Sequence, residues 1–302
     1  MNQERRHCDL CPRKCNVDRQ ITKGYCQMGN NPVVAKASLH CWEEPCISGS
    51  RGSGTVFFTG CNLRCVYCQN YRISQENFGI EISIERLGEI FKSLQEKGAH
   101  NINLVNPSHF TMQIREAILN TEEVSIPYIY NSNGYEGKQN LIMLDGMVQV
   151  YLPDIKYFSS EISGRYSGAS DYFDNATEAV LEMYRQVGSP VLDEEGMIKK
   201  GLIIRHLILP GQASESIKIL DWIKANLPEG VYISLMSQYT PYYKANLFPE
   251  IDRRIIRREY EKVLNHFVKL GFENGYVQER ESAEEQYIPD FNLEGVMGEN
   301  AE

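Results

Sequence analysis

Cysteine is missing from the whole of the chain beyond Cys68, although the sequence of 302 residues holds nine. All of them, Cys8, Cys11, Cys15, Cys26, Cys41, Cys46, Cys61, Cys65 and Cys68, crowd into the first part of the chain. An odd number bunched in a chain long enough to bury its own core argues against a disulfide framework and for metal in a reducing compartment. Positive charge is also short: 31 Lys and Arg against 40 Asp and Glu give a formal net charge of −9, which excludes a general nucleic-acid binder. The run Arg253, Arg254, Arg257 and Arg258 reads as the solvated face of a helix. No segment approaches the roughly 18 uninterrupted apolar residues of a membrane span, and the start MNQERRHCDL has no apolar core of a secretion signal. The expectation is a cytoplasmic protein with no membrane contact.

What is present changes texture near residue 50. Residues 1–50 are Cys-rich, loop-like and broken by turn signals such as Gly29-Asn30-Asn31-Pro32, an extension that needs a metal or packing to hold it. From residue 51 short β-branched or aromatic runs alternate with amphipathic stretches, so 51–278 reads as one α/β core. Strands are expected at Thr55–Thr59, Asn101–Val105, Ile126–Tyr130, Val148–Leu152, Leu202–Leu209 and Val231–Met236. Helices are expected at Ser83–Lys97, Thr111–Leu119, Tyr172–Val187, Ser214–Asn226 and Ile251–Leu270. Six βα units imply a parallel sheet curled into a barrel or part of one, with function at the carboxyl ends of the strands. Residues 279–302 are acidic and read as a surface tail.

Cys61, Cys65 and Cys68 stand in the loop TGCNLRCVYCQN after the first of these strands. Thiolates bind zinc or iron–sulfur clusters, and this C-x3-C-x2-C spacing wraps three corners of a cubane, leaving the fourth iron open to a substrate or cofactor. The alternative is a structural zinc completed by a distant His or an N-terminal cysteine. Cys8, Cys11, Cys15 and Cys26 supply four more thiols, enough to close a second site with zinc or an iron–sulfur cluster; the spacing lacks the paired C-x2-C knuckles usual for tetrathiolate zinc, which favours the cluster. Cys41 and Cys46 read as buried small hydrophobes.

The loop GCNLRCVYCQN resembles the signature of the radical S-adenosylmethionine (SAM) superfamily, and HCWEEPCISGSRGSGTVFFTGCNLRCVYCQN resembles the branch similar to pyruvate formate-lyase-activating enzyme, over about residues 7–275. The resemblance implies a partial (β/α)6 TIM-like barrel and a [4Fe–4S] cluster on Cys61, Cys65 and Cys68 with SAM chelating the fourth iron. It implies reductive cleavage of SAM to a 5′-deoxyadenosyl radical, so that the cofactors and no catalytic side chain carry the chemistry. It also implies a flavodoxin- or ferredoxin-type reductant.

Candidate cofactor-binding residues follow from the same resemblance. Tyr67 is similar to the aromatic that packs near adenine. Where relatives have a Gly-Gly-Glu turn this chain has Asn106-Pro107-Ser108-His109, so that with no carboxylate there, Asn106 or Ser108 is left to accept from the SAM amino group. Asn133 lies in an Asn-Gly turn matching that of activating enzymes, and Asp154 and Lys156 share one strand face beside the SAM ribose and carboxylate. Arg205 and His206 must point to opposite faces, and an inward Arg205 suits a carboxylate or peptide carbonyl, or else is a buried residue satisfied by sheet-end carbonyls. Gln238 and Tyr239 are candidate substrate-facing groups, and His109 reads as a cap or core residue. The implied activity is hydrogen abstraction from a glycine of a partner glycyl-radical enzyme, across a groove floored by Arg205 and rimmed by Tyr239 and Tyr242. The alternatives are a small-molecule or peptide substrate, and a non-catalytic iron–sulfur carrier.

Overall fold

The computed structural model describes residues 7–278 and 289–298. Its β-branched and aromatic runs form the strands β1 (Val33–His40), β2 (Ser53–Phe58), β3 (Ile80–Glu81), β4 (Ile102–Val105), β5 (Tyr128–Ser132), β6 (Val150–Pro153), β7 (Val191–Leu192), β8 (Ile198–Leu207), β9 (Tyr232–Met236) and β10 (Gly275–Val277). They lie in the order β10-β9-β8-β6-β5-β4-β2-β1-β3, with β7 folded back on β8 as a hairpin. Every neighbouring pair from β2 to β10 along that path is parallel, whereas β1 runs antiparallel to both β2 and β3. The central parallel strands are buried on both faces, as crossover helices require, Val56, Phe58, Ile102, Leu104, Ile129 and Val150 having no exposed surface, whereas the edge strand β10 is largely exposed.

Each parallel neighbour is reached through helix, the first being Ile84–Glu96. Ser83 caps that helix by accepting from the Arg86 amide at 3.1 Å, and Leu87, Ile90, Phe91 and Leu94 recur at helical spacing to form its buried face. Thr111–Leu119, Tyr172–Val187 and Ala213–Asn226 also bury one face, without a side-chain cap, and the last helix, Arg257–Lys269, starts later than the apolar pattern suggests. The architecture is therefore the partial (β/α)6 barrel expected, extended by the short β10 as a seventh parallel strand, and all its parallel strands point their carboxyl ends to one side. Among the described residues no helix is long and apolar enough to cross a membrane.

Two expectations are corrected. Residues 1–50 are not loop throughout, because the described residues of this stretch lack helix and strand only up to Pro32, and Val33–His40 is an eight-residue strand paired with β2. Its period is hidden by small residues, Ala35 and Ala37, that pack where larger ones would reveal it. The acidic tail is also not wholly a surface segment. The Leu293 amide donates to the Ala35 carbonyl, the Ala37 amide donates to the Glu294 carbonyl, and Phe291 packs edge-on against Phe57 at 5.5 Å. Residues 279–288 and 299–302 of that tail lie outside the described residues.

Candidate active site

A cavity of about 350 Å³ opens at the carboxyl ends of the strands, and Cys61, Cys65 and Cys68 line it together. Gly60 starts their loop in the left-handed region, φ 86°, where a side chain would meet the Met28 side chain at 2.5 Å and the Cys26 carbonyl at 2.7 Å. The loop therefore leaves β2 in a turn that only glycine fits. Each sulfur has polar company: the Leu63 amide and Asn133 Nδ2 donate to Cys61 Sγ at 3.4 and 3.3 Å, Ser167 Oγ donates to Cys65 Sγ at 2.9 Å, and Ser74 Oγ lies 3.2 Å from Cys68 Sγ. Burial pushes the Cys61 and Cys65 thiols up to about 11 and Cys68 in the same direction. A bound cation reverses that balance, since coordination takes the proton from a thiol outright.

Asparagines buttress the Cys61 side. Asn106, held at φ 58°, donates to the Gly60 carbonyl, and Asn133 Nδ2 donates to Asn62 Oδ1 at 2.7 Å and to Asn106 Oδ1 at 3.3 Å. The Asn-Gly turn is specific here: Gly134 has φ 79°, and a Cβ there would lie 2.0 Å from the Asp154 carbonyl. Tyr67 is buried against Tyr239, ring centroids 5.6 Å apart, and its hydroxyl is 2.6 Å from that of Tyr157. Tyr157 in turn meets Ser167 Oγ at 2.6 Å, so one chain of hydroxyls connects Tyr67 to the Cys65 sulfur. Asp154 and Lys156 both line the cavity as an ion pair at 2.5 Å. Burial alone would discharge Lys156, but Asp154 and Cys65 outweigh it and raise its pKa.

Arg205 does face the cavity and His206 faces away, its Nδ1 2.7 Å from the Ile155 carbonyl. Arg205 is already engaged, however: Nε donates to Glu44 Oε1 at 2.8 Å, and Nη2 donates to both Glu44 and Glu43. Neither a free Arg205 nor one held by sheet-end carbonyls describes it. Glu43 and Glu44 were missed because they stand in the irregular stretch before Pro45; the available signal was two adjacent carboxylates in an apolar setting between Trp42 and Pro45. Ser108 is likewise displaced from its expected role. It does not line the cavity, and its hydroxyl donates to Glu136, a buried carboxylate delivered from the turn after β5. The absence of a carboxylate near the NPSH turn therefore held only for the local sequence. Burial raises Glu136 to about 7 against hydrogen bonds that lower it.

Gln238 lines the cavity and accepts from Gln278 Nε2 at 3.1 Å, while Tyr239 turns its hydroxyl to the Ile251 carbonyl at 2.8 Å and forms wall. Tyr242 is not part of the lining. His109 is a core residue, buried with Nε2 2.7 Å from the Thr59 carbonyl and lowered to about 3 by burial and Arg19. Cys46 is buried as expected, but Cys41 is exposed. Cys8, Cys11, Cys15 and Cys26 are free thiols outside the cavity. Among the described residues no three His, Cys, Asp or Glu side chains form a ready-made site for a single metal ion, and this covers Cys61, Cys65 and Cys68 as well.

Residues 55–223 match the model of the Radical SAM superfamily. The chain is 32% identical over 269 residues to "Uncharacterized protein MJ0674" of Methanocaldococcus jannaschii, covering 86% of this chain and 73% of that one. Solved structures with a similar backbone include Streptococcus suis SuiB bound to S-adenosylmethionine, 14% identical, covering 72% of this chain and 48% of that one with a TM-score of 0.48. Others are anSMEcpe with bound AdoMet, 14% identical, covering 72% and 61% with a TM-score of 0.47, and methylornithine synthase, 16% identical, covering 69% and 59% with a TM-score of 0.46. The chain spans about half the length of SuiB and less than two thirds of the other two. With more than half of its length matched by the family model and its thiol triplet at the mouth of the expected barrel, the chain belongs to the radical SAM superfamily.

Proposed function

We propose that Cys61, Cys65 and Cys68 hold a [4Fe–4S] cluster and that the polar wall of the same cavity seats SAM against it. The donor set fits such a group. Three thiols face one cavity, none converges with the others on a single ion, and each sulfur has a polar neighbour to stabilise charge. Bound there, cluster and SAM supply one-electron cleavage of the sulfonium and a radical able to abstract hydrogen.

The chain's own residues orient and shield. Asn133 ties the Cys61 side to Asn62 and Asn106, and Asn106 lines the cavity, where its side-chain oxygen would serve to accept from the SAM amino group. Lys156, kept charged by Asp154, suits a carboxylate, and Asp154 suits ribose hydroxyls. Tyr67 and Tyr239 wall off water on the remaining side. Ser108, bonded to Glu136, supports the wall from behind.

The first substrate reading is a backbone glycine of a partner glycyl-radical enzyme, carried by the likeness of the signature run to activating enzymes, with a flavodoxin- or ferredoxin-type reductant. A small molecule or peptide is the second reading. It is favoured by Arg205, whose charge is spent on Glu43 and Glu44 rather than offered to a docking loop. The observation that carries the common core of both is the thiol triplet facing one cavity with Asn133, Asp154 and Lys156.

Anaerobic reconstitution with iron and sulfide, followed by dithionite and SAM, tests it. The expected result is a SAM-dependent change in the electron paramagnetic resonance (EPR) spectrum together with 5′-deoxyadenosine. A spectrum indifferent to SAM and no nucleoside would leave the iron–sulfur carrier. Co-expressed glycyl-radical enzyme should then give a glycyl signal on the first reading, and a labelled metabolite should pass deuterium into 5′-deoxyadenosine on the second.

A further inference from the structure

Cys8, Cys11, Cys15 and Cys26 take no part in that cavity, yet the segment carrying them is built around them. Through Pro32 it has neither helix nor strand among its described residues, and it still buries Cys11, Arg19, Gly24, Cys26 and Met28. A stretch this poor in backbone ladders ordinarily needs a crosslink or a metal to stay folded. All four thiols are free, so no disulfide supplies it.

The four thiols follow one another as neighbours: Cys8 lies within hydrogen-bond reach of Cys15, Cys15 neighbours Cys26, and Cys11 neighbours Cys26 and Cys8. Gly24 leaves space between two of them: a Cβ there would sit 3.3 Å from Cys15 Sγ and 3.5 Å from Cys26 Sγ. Lys14, Asn16 and Gln27, each adjacent to a cysteine, take left-handed backbone, and the Lys14 amide donates to the Cys11 carbonyl at 3.0 Å. No three of these thiols converge as they stand, which is equally true of Cys61, Cys65 and Cys68. Rotation about χ1 moves a cysteine sulfur between staggered wells, so a metal can draw them in.

The same segment is bolted to the back of the Cys61–Cys68 loop. Arg13 Nε donates to the Asn62 carbonyl at 2.7 Å, and Arg64 donates both to the Cys61 carbonyl at 2.9 Å and to that of Tyr25. Arg13 and Arg64 lie over the Tyr25 ring at 4.1 and 4.5 Å from its centre. Met28 and the Cys26 carbonyl fill the space that Gly60 leaves.

We infer that Cys8, Cys11, Cys15 and Cys26 bind a thiophilic metal centre, zinc or an iron–sulfur cluster, and that its role is to clamp the N-terminal segment against the loop bearing Cys61, Cys65 and Cys68. The metal site stands on its own observations, whereas the clamp rests on the proposed cluster.

The first arm of the test leaves the N-terminus untouched. A Cys61→Ala, Cys65→Ala, Cys68→Ala chain, prepared anaerobically with iron and sulfide and separately with zinc, is desalted and analysed for metal. It should keep about one zinc or about four irons per chain, and adding Cys11→Ser and Cys26→Ser should abolish that retention. Trace metal in the first chain, or unchanged metal in the second, overturns the site. In the second arm Cys11→Ser and Cys26→Ser are placed in the chain with the triplet intact. A chelator should then bleach the remaining cluster on the order of tenfold faster, and an unchanged rate overturns the clamp. If the triple variant holds metal while the wild type ignores SAM, the SAM proposal fails and this site stands. Wild-type cleavage of SAM with a metal-free triple variant gives the reverse.

Discussion

Two groups of cysteines, one on each side of the Gly60 turn, meet opposite fates. The triplet Cys61, Cys65 and Cys68 faces a cavity, and its sulfurs are attended by Asn133, Ser167 and Ser74. The quartet Cys8, Cys11, Cys15 and Cys26 lies outside it, with Cys15 and Cys26 on either side of Gly24 and the segment fastened to the loop by Arg13 and Arg64. Three thiols beside open space leave a coordination position for a ligand, whereas four in a packed segment leave none. On the two proposals above, position relative to the barrel mouth, rather than thiol chemistry, is what would separate a reactive centre from a structural one.

The comparison breaks most sharply at the thiols themselves. Cys65→Ser should reduce SAM cleavage by roughly 1,000-fold or more, because the cofactor carries the chemistry, while Cys15→Ser should keep it within about tenfold of wild type. Nucleoside release measured by chromatography checks both, and equal losses would erase the distinction.

Glu136 comes next, since it is bonded to Ser108 and lies near Cys11, whose thiol is pushed up to about 12 first by burial and then by the Glu136 carboxylate. Its folded pKa is raised by burial from 4.5 to about 7. The native state therefore keeps a proton that the unfolded chain has released, and stability is fully present below about pH 4.5 and falls as pH rises towards 7. By linkage the loss approaches about 3 kcal/mol. Glu136→Gln should flatten that slope, and urea midpoints compared at pH 5.5 and 8 test it; a slope retained in the variant would assign the effect elsewhere.

Gly60→Ala probes the wall between the groups. The strained φ and the contacts with Met28 and the Cys26 carbonyl should cost about 2 kcal/mol and loosen both regions together, as hydrogen exchange at residues 24–28 and 60–68 would report. Protection lost on one side alone would separate the two.

The smallest effect is expected from Ser167→Ala, which removes the hydroxyl that donates to Cys65. A donor to sulfur favours the more negatively charged state, so the variant cluster should titrate at a more negative potential with its iron content unchanged. An unshifted potential would show that this hydroxyl serves only the tyrosine chain to Tyr67.

Much of this was legible along the chain, because the features involved are local. The triplet spacing, the Gly60 turn, the alternation of β-branched and amphipathic runs and the pairing of Asp154 with Lys156, which stand just past β6 rather than on one strand face, each depend on neighbours a few residues away. The packing of residues 289–298 on β1 and β2 was not legible, since Phe291 and Leu293 acquire meaning only from Phe57 and Ala35 more than 200 positions earlier. Ser108 and Glu136 show the same limit: the turn after β4 lacks an acid, and parallel neighbours supply one from the turn after β5.

Thiols in two groups, a triplet at the end of the first parallel strand and a core of βα repeats are properties of the chain read in order. That Arg205 meets Glu43 and Glu44, and that the quartet backs onto the triplet's loop, follows from folding alone. The physical reason is range: backbone geometry and periodicity act between neighbours in the chain, whereas burial makes a charge seek whatever counter-charge the fold brings within reach.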